Sequence, residues 1–507
     1  MTLRMFARSP ERRACVVVPV LLAAAACPLI ANVAGSAPVG AESAPGLLPV
    51  VQNPASGGGF EFSAPENYSV QGDPYALASA DFDGVDGPDV VASTESATVV
   101  LFLNRGDGTL EFSQQLSVPS LALNIVAADL DGRNGPDLAT ADFRTNSVSV
   151  LRNEGGGIFG TVETYPVGPT PSLVDGIVAA DFDGVNGPDL AVNHSSFDLV
   201  ASNGVSILFN QGDGTFGDEV FYPVNLLGAH GIAAGDLDGV RGPDLVVTHR
   251  DANSVWVYLN RGDGSLVLSQ TLSSPLAPID QVLVDMDDRD GPDLMMTKFF
   301  DAIEIRFNRG DGTFGPGTSY PINRGQAPAV ADFDLDADLD LVVPSFNSTR
   351  VSQMVNLGDG RLGPVIGLEI GYLTGRAIAA DMDGMGGPDL IVSDIDPNVS
   401  QIAVLLNQVR GIRVDIDVQP WSENNLVDPG SPGLLTTAIM AGPGFDPLQA
   451  DLAGIRMGPG DAPARNYRVY DVNRDRAPDL LVYFRLRDLR IGCGRTELEV
   501  TGRTHAG

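Results

Sequence analysis

The sequence predicts an all-β protein: a seven-bladed β-propeller closed by an N-terminal strand, followed by a small β-sandwich domain. Three observations predict it. One Asp-rich phrase recurs seven times, short apolar or alternating segments flank every copy, and no segment sustains helical spacing.

The phrase reads ADFDGVDGPDVV from Ala80, ADLDGRNGPDLA from Ala128, ADFDGVNGPDLA from Ala180 and GDLDGVRGPDLV from Gly235. It continues as VDMDDRDGPDLM from Val284, ADFDLDADLDLV from Ala331 and ADMDGMGGPDLI from Ala380. Its leading aspartates are Asp81, Asp129, Asp181, Asp236, Asp285, Asp332 and Asp381, so the steps are 48, 52, 55, 49, 47 and 49 residues. A four-stranded blade takes about that length, and leucine-rich or ankyrin repeats are shorter.

Within the fourth unit a short apolar segment, Gly231-Ile-Ala-Ala234, leads into the Asp loop. Asp244-Leu-Val-Val247 follows, then the alternating Ser254-Val-Trp-Val-Tyr-Leu259, the turn Asn260-Arg-Gly-Asp-Gly264 and a more polar fourth strand. Six units run on into such a strand, but the seventh stops at Asn407. GGFEFSAPENYSV from Gly58 matches the missing piece, so an N-terminal strand is expected to complete the last blade and leave no open sheet edge. The expected domains are a signal peptide at 1–41, a linker at 42–57, the propeller at 58–408 and a C-terminal domain at 411–507.

Composition narrows the function. A formal charge of −34 excludes nucleic acid and anionic membrane surfaces as partners and suits cation binding. Arg4, Arg8, Arg12 and Arg13 precede the apolar run Ala14–Ile30, and Val39-Gly40-Ala41 offers a cleavage site, so export is expected. Lipoprotein processing at Cys27 is the alternative, although the usual Leu three residues earlier is missing. No later apolar stretch is long enough to span a bilayer. Cleavage after Ala41 leaves one cysteine, Cys493, and therefore no internal disulfide. The mature protein is expected to be secreted or held at the cell surface or in the periplasm, as a monomer.

The Asp-x-Asp-x-x-x-Gly-Pro-Asp pattern sets carboxylates at positions 1, 3 and 9 of a tight turn, the hard oxygen donors that Ca²⁺ takes. The candidate ligands are Asp81, Asp83 and Asp89; Asp129, Asp131 and Asp137; Asp181, Asp183 and Asp189; and Asp236, Asp238 and Asp244. The later loops add Asp285, Asp287 and Asp293; Asp332, Asp334, Asp336 and Asp340; and Asp381, Asp383 and Asp389. The C-terminal Asp471, Asn473, Asp475 and Asp479 make an eighth such loop. These nine-residue windows hold 29 of the 65 acidic residues, so the acidity is concentrated in the loops and is not a general surface property. A metal-free Asp-rich hairpin is the competing reading. Position 5 is non-acidic at Val85, Arg133, Val185, Val240, Arg289 and Met385, where water or backbone would have to serve.

On this loop, the Gly-Pro-Asp and the Asn-x-Gly-Asp-Gly-Thr-Phe turn, residues 58–408 resemble the FG-GAP (VCBS) repeats of bacterial secreted proteins and integrin alpha-subunit propellers. The resemblance implies one calcium per intact loop, between the first two strands of a blade. The C-terminal module resembles a domain found on assorted bacterial secreted proteins, with matching phrases at Asp415-Ile-Asp417, Asp471 to Phe484 and Cys493-Gly494. Its expected strands are Ile412–Val418, Gly433–Ile439 and Glu497–Val500.

Three turns spell Arg-Gly-Asp: Arg105-Gly106-Asp107, Arg261-Gly262-Asp263 and Arg309-Gly310-Asp311. Equivalent turns read Gln211-Gly212-Asp213 and Leu357-Gly358-Asp359, so Gly-Asp-Gly is the hairpin requirement and the Arg is incidental.

The residue five after each loop's last Asp is expected to open a loop on the opposite face. Those residues are Thr94, Asp142, His194, His249, Lys298, Ser345 and Asp394, all polar and of five different types. Arg144, Phe197, Arg250, Phe299 and Phe300 lie nearby, as does His230 at the start of an inner strand. Asp142, His194, His230, His249, Lys298 and Asp394 form the candidate ligand face, for an extracellular protein or glycan. An adhesion or binding module follows from that reading, with no catalytic constellation and so no enzyme expected. Two alternatives stay open: a polysaccharide lyase or hydrolase using the His194/His230/His249 region, and a purely structural spacer.

Overall fold

A computed structural model describes residues 60–408, except 170–172, 196–202, 225, 227, 300–301, 386 and 397. It also describes 2–6, 414–418, 434–439, 447–449, 455–457, 462–472, 478–486 and 499–503.

The Asp-rich phrase cannot continue a strand, because its glycines and their neighbours turn the backbone through positive φ, as at Gly84 (φ 78) and Asp86 (φ 61). Each phrase therefore ends one strand and starts the next. Seven antiparallel four-stranded sheets result among the described residues. Sheet 1 consists of Pro74–Ala80, Asp89–Thr94, Thr98–Asn104 and Leu110–Ser117. Sheets 2 to 6 repeat this order, with first strands Ala122–Ala128, Leu173–Ala180, Ala229–Gly235, Pro278–Val284 and Ala329–Ala331. Sheet 7 takes Thr374–Ala380, Asp389–Asp394 and Gln401–Leu405 from one end of the repeat region and Glu66–Ser69 from the other. The register there pairs Glu66 with Val404 and Ser69 with Gln401.

Every described residue of the second strands is buried, whereas the fourth strands are mostly exposed. A second strand has sheets stacked on both of its faces, which is why it reads as an unbroken apolar run. The packing is between sheets. Val126 and Val150 of sheet 2 meet Val174, Ile177 and Leu190 of sheet 3. Val90 and Val100 of sheet 1 meet Ile378, Ile391 and Ile402 of sheet 7. Comparable clusters lie between each other neighbouring pair, so every sheet has a packed neighbour on both sides. First strands also neighbour one another around the centre, and Thr374–Ala380 lies against Pro74–Ala80.

Outside the propeller, the described strands form one sheet of eight, including Val414–Val418, Leu434–Ile439, Asn466–Tyr470, Asp479–Arg485 and Glu499–Arg503. The expected sandwich is represented among the described residues by this sheet alone. Thr2–Phe6 belongs to it, parallel to Val414–Val418 and antiparallel to Glu499–Arg503. No helix among the described residues is long and apolar enough to cross a membrane.

Candidate metal centres

Each loop follows a first strand, so its carboxylates gather at one end of the sheet stack. In Asp81/Asp83/Asp89, Asp129/Asp131/Asp137, Asp181/Asp183/Asp189, Asp236/Asp238/Asp244 and Asp285/Asp287/Asp293, one oxygen per residue lies within 4.8 Å of the others. Two further groups of potential metal ligands occur among the described residues. Backbone amides shape the turn: Gly84 N–H donates to Asp81 Oδ1 at 2.7 Å and Val85 N–H to Asp83 Oδ1 at 2.8 Å. Val85, Val185, Val240 and Met385 at position 5 are exposed, so they contribute no side chain to the centre.

The last Asp of each loop is the fixed point. Asp89 is fully buried, accepting from Phe82 N–H at Oδ2 and Asn104 N–H at Oδ1, each at 2.8 Å. The same two bonds recur at Asp137, Asp189, Asp244, Asp293, Asp340 and Asp389. These amides are neutral donors, and burial pushes Asp89 and Asp389 up to about 7 and Asp340 up to about 8. Asp137, Asp189, Asp244 and Asp293 rise to about 6 for the same cause. The charge of Asp334 adds to the shift at Asp340. Asp181 Oδ1 is buried without a hydrogen-bond partner. Hard oxygens, mutual proximity and raised proton affinity fit a divalent cation, which neutralises the charge that burial penalises.

An asparagine at the end of each third strand was visible in the sequence only as part of a turn; the structure gives it a second role. Asn153 Nδ2 donates to the carbonyl of Phe82 in the preceding sheet at 2.8 Å. Asn210, Asn260, Asn308, Asn356 and Asn407 repeat the bond to Leu130, Phe182, Leu237, Met286 and Phe333. Asn104 completes the set by reaching Met382, 278 positions away, in sheet 7. Each bond fastens one loop to the sheet before it.

Residues 86–140 match the family described as FG-GAP-like repeat. The chain carries an FG-GAP-like repeat. No curated protein matches the sequence. A lectin of Agrocybe aegerita, solved for its recognition of non-reducing terminal N-acetylglucosamine, is 20% identical with a TM-score of 0.43, over 59% of this chain and 81% of its own. BBS1N in complex with ARL6DN is 14% identical with a TM-score of 0.47, over 68% and 96%. A functionally unknown protein from Desulfotomaculum acetoxidans is 15% identical with a TM-score of 0.44, over 60% and 87%. FG-GAP-like propellers are ligand-binding or structural modules and typically not enzymes.

At the other end of the sheet stack the residues expected to open loops prove to be buried. Thr94, Asp142, His249, Lys298 and Asp394 are the last residues of their second strands, His194 is next to last, and Ser345 follows its strand. All seven are buried, because the sheets pack against each other up to the strand ends. Most find partners in their own sheets, while neither ring nitrogen of His249 has a hydrogen-bond partner. Asp142 accepts from Thr140, Ser147 and Ser149, Lys298 pairs with Glu304, and Gln401 donates to Asp394. His194 Nε2 is 2.8 Å from Ser206 Oγ, which donates to Glu219 Oε2 at 2.7 Å, and Phe221 stands edge-on to the ring. Serine sits between acid and imidazole in that relay, so the imidazole is not positioned between acid and nucleophile as a catalytic base requires. His249 packs edge-on to Trp256. His230 and His249 lie on paired strands of sheet 4, near enough for the charge of one to reach the other, whereas His194 belongs to sheet 3. Phe197 and Phe300 lie outside the described residues.

In the C-terminal sheet Val472 N–H donates to the buried Asp479 at 2.8 Å, the bond made by the second residue of every propeller loop. Asn473 and Asp475 lie outside the described residues.

Proposed function

We propose that this protein is an exported, calcium-binding β-propeller that serves as an adhesion or ligand-binding module for an extracellular protein or glycan. The carrying observation is the recurrence of carboxylate triads, each with oxygens within 4.8 Å and one member buried. Bound Ca²⁺ would supply the positive charge that lets those carboxylates stay ionised inside the fold. Asp81, Asp83, Asp89 and their counterparts would hold it, with exposed position 5 leaving a place for water. A cation that binds only the folded state stabilises it by mass action, about 2.7 kcal/mol per site at a hundredfold excess over Kd.

Export rests on the basic, then apolar, N-terminus, and cleavage after Ala41 would withdraw Thr2–Phe6 from the C-terminal sheet. N-terminal sequencing of the mature protein checks that step. The calcium assignment is tested by thermal melting with calcium and after chelation. A large fall in midpoint on chelation is expected, and an unchanged midpoint would falsify it. A glycan and protein array probed with calcium present tests the binding role.

A further inference from the structure

Away from the Asp loops, the first strands carry a second feature. Their registers shift between Val174 and Ile177, Ala229 and Ile232, Pro278 and Gln281, and Thr374 and Ala377. A bulge re-aims side chains out of the ladder. The residues within these shifts include Asp175, His230, Asp280 and Arg376, from sheets 3, 4, 5 and 7. They come together although their sheets are separate. His230 Nδ1 is 3.5 Å from Asp175 Oδ2, and Arg376 Nη1 is 3.8 Å from Asp280 Oδ1. The charges of Arg250, Asp280 and Arg376 all reach Asp175. First strands surround the centre, so this convergence marks the axis of the ring.

The cluster is short of donors. Asp280 is 0% exposed, and neither of its carboxylate oxygens has a hydrogen-bond partner. Asp175 Oδ1 and the neighbouring Gln281 Oε1 are likewise buried and unbonded. Burial drives His230 down to about 3, so it is neutral and adds no charge. Two carboxylates therefore face one guanidinium, with Arg250 nearby and itself bonded to the adjacent Asp251. Buried polar groups in folded proteins are normally satisfied, and each exception calls for a partner.

We propose that the axial cluster of Asp175, His230, Asp280 and Arg376 binds an organic ammonium group. Such a group brings three N–H donors and one positive charge, matching surplus acceptors and surplus negative charge. An anion would meet two carboxylates. A bare divalent ion would meet the Arg376 guanidinium, while the Asp loops offer it three carboxylates with none. This inference deepens the ligand-binding reading without depending on calcium in the loops.

The test is calorimetric titration of the full chain, kept in calcium, with butylammonium as the free amine and Nα-acetyl-lysine amide as a protein-borne one. Saturable one-to-one binding of butylammonium is expected, with none for butanol or butyrate. Binding of the lysine derivative as well assigns the site to protein partners; binding of butylammonium alone assigns it to free amines. Asp280→Asn and Asp175→Asn should each weaken binding at least tenfold while keeping the calcium-loaded melting midpoint. Burial raises both acids, Asp175 well above the ordinary carboxylate range and Asp280 to about 6, so affinity should fall, with proton uptake by the free site, as pH drops; His230, Arg250 and Arg376 face the same space. No saturable binding of either amine, equal binding of butanol, or affinity unchanged in both variants overturns the proposal. The wild-type comparison of amine with alcohol decides even if both variants unfold. Loss of the calcium effect on melting with amine binding intact would remove the calcium reading and leave this one standing.

Discussion

The two ends of the sheet stack solve the same problem in opposite ways. At the loop end seven buried aspartates are held by the same two backbone amides, and seven asparagines repeat the same bond to the preceding sheet. At the other end the equivalent positions carry five residue types, and most have partners of their own: three hydroxyls for Asp142, a serine for His194, Glu304 for Lys298. Backbone partners are available to any repeat, so the loop end can be copied unchanged. Side-chain partners must be supplied within each sheet, so the far end can diverge one sheet at a time. Divergence there is thus compatible with burial and does not by itself mark a binding surface.

The largest separation between the two ends should come from pH in the absence of metal. Burial raises the last Asp of each loop from 3.8 to between about 6 and about 8. Folding the metal-free ring therefore takes up protons. The contribution of these groups is full below about pH 4 and is lost as pH rises through about 6 to 8. The melting midpoint of metal-free protein should fall across that range. Calcium should reverse the trend, because it binds the ionised form and competes with protons. A metal-free ring that melts higher at about pH 8 than at about pH 5 would show that these carboxylates carry no burial penalty.

The next effect belongs to the far end. Lys298 is the only lysine in the chain, buried with Glu304, and Arg306 Nε donates to the other Glu304 oxygen at 2.6 Å. Lys298→Met keeps the stem and removes the charge, leaving Glu304 with one cation. A loss of about 3 kcal/mol in urea unfolding is expected, the low end for breaking a buried pair, because Arg306 still answers Glu304. Lys298→Met combined with Glu304→Gln should recover part of it. A loss as large in the double variant would place the cost in packing and not in charge.

Much of the loop end was legible in the sequence because its chemistry is local. Asp81, Asp83 and Asp89 lie within nine residues, and the turn from Asn104 to Gly108 reads as a hairpin without knowledge of the fold. The missing strand of the last sheet was legible too, since GGFEFSAPENYSV matches the other units. The asparagine bridge was not, for its partner lies 71 positions earlier at Asn153 and 278 later at Asn104. Nor was the axial cluster, whose four residues come from four sheets. The signal for it was present: Asp175 and the adjacent pair Asp280 and Gln281 interrupt first strands that are otherwise apolar. Asp142 and His194 misled because polarity at a strand end reads as exposure, and only the packed neighbours show it buried.

That asparagine bridge sets the third prediction. Asn104→Ala removes one of two donors to the Met382 carbonyl at the junction between the first and last sheets, leaving the Gly108 N–H at 3.1 Å. A cost of about 1 kcal/mol is expected, the net worth of one hydrogen bond whose acceptor keeps its other donor, read as a lower urea midpoint. Asn210→Ala removes the same bond to Leu130 between sheets 2 and 3, and should cost a similar amount if every junction carries equal weight. A much larger loss at Asn104 would mean that the junction made by Glu66–Ser69 and its sheet is the weakest.

The smallest effect is expected at the Arg-Gly-Asp turns, where sequence identity and structural requirement part company. Asp263 Oδ1 accepts from Ser265 N–H at 3.0 Å and from its hydroxyl, so the carboxylate is engaged in closing the turn. Gly264 holds φ 74, and a Cβ there would come within 2.2 Å of the Phe209 ring in the preceding sheet. Only the Arg is free of such duties, and its counterparts at the same place are Gln211 and Leu357. Arg261→Ala should therefore change stability by no more than about 0.5 kcal/mol, as at an ordinary surface site, and should leave ligand capture on an array unchanged. Gly264→Ala should destabilise strongly, since both backbone and neighbour oppose it. Lost capture in Arg261→Ala with stability intact would turn the turn from a hairpin device into a recognition element, and would move the ligand face to the Asp-loop end.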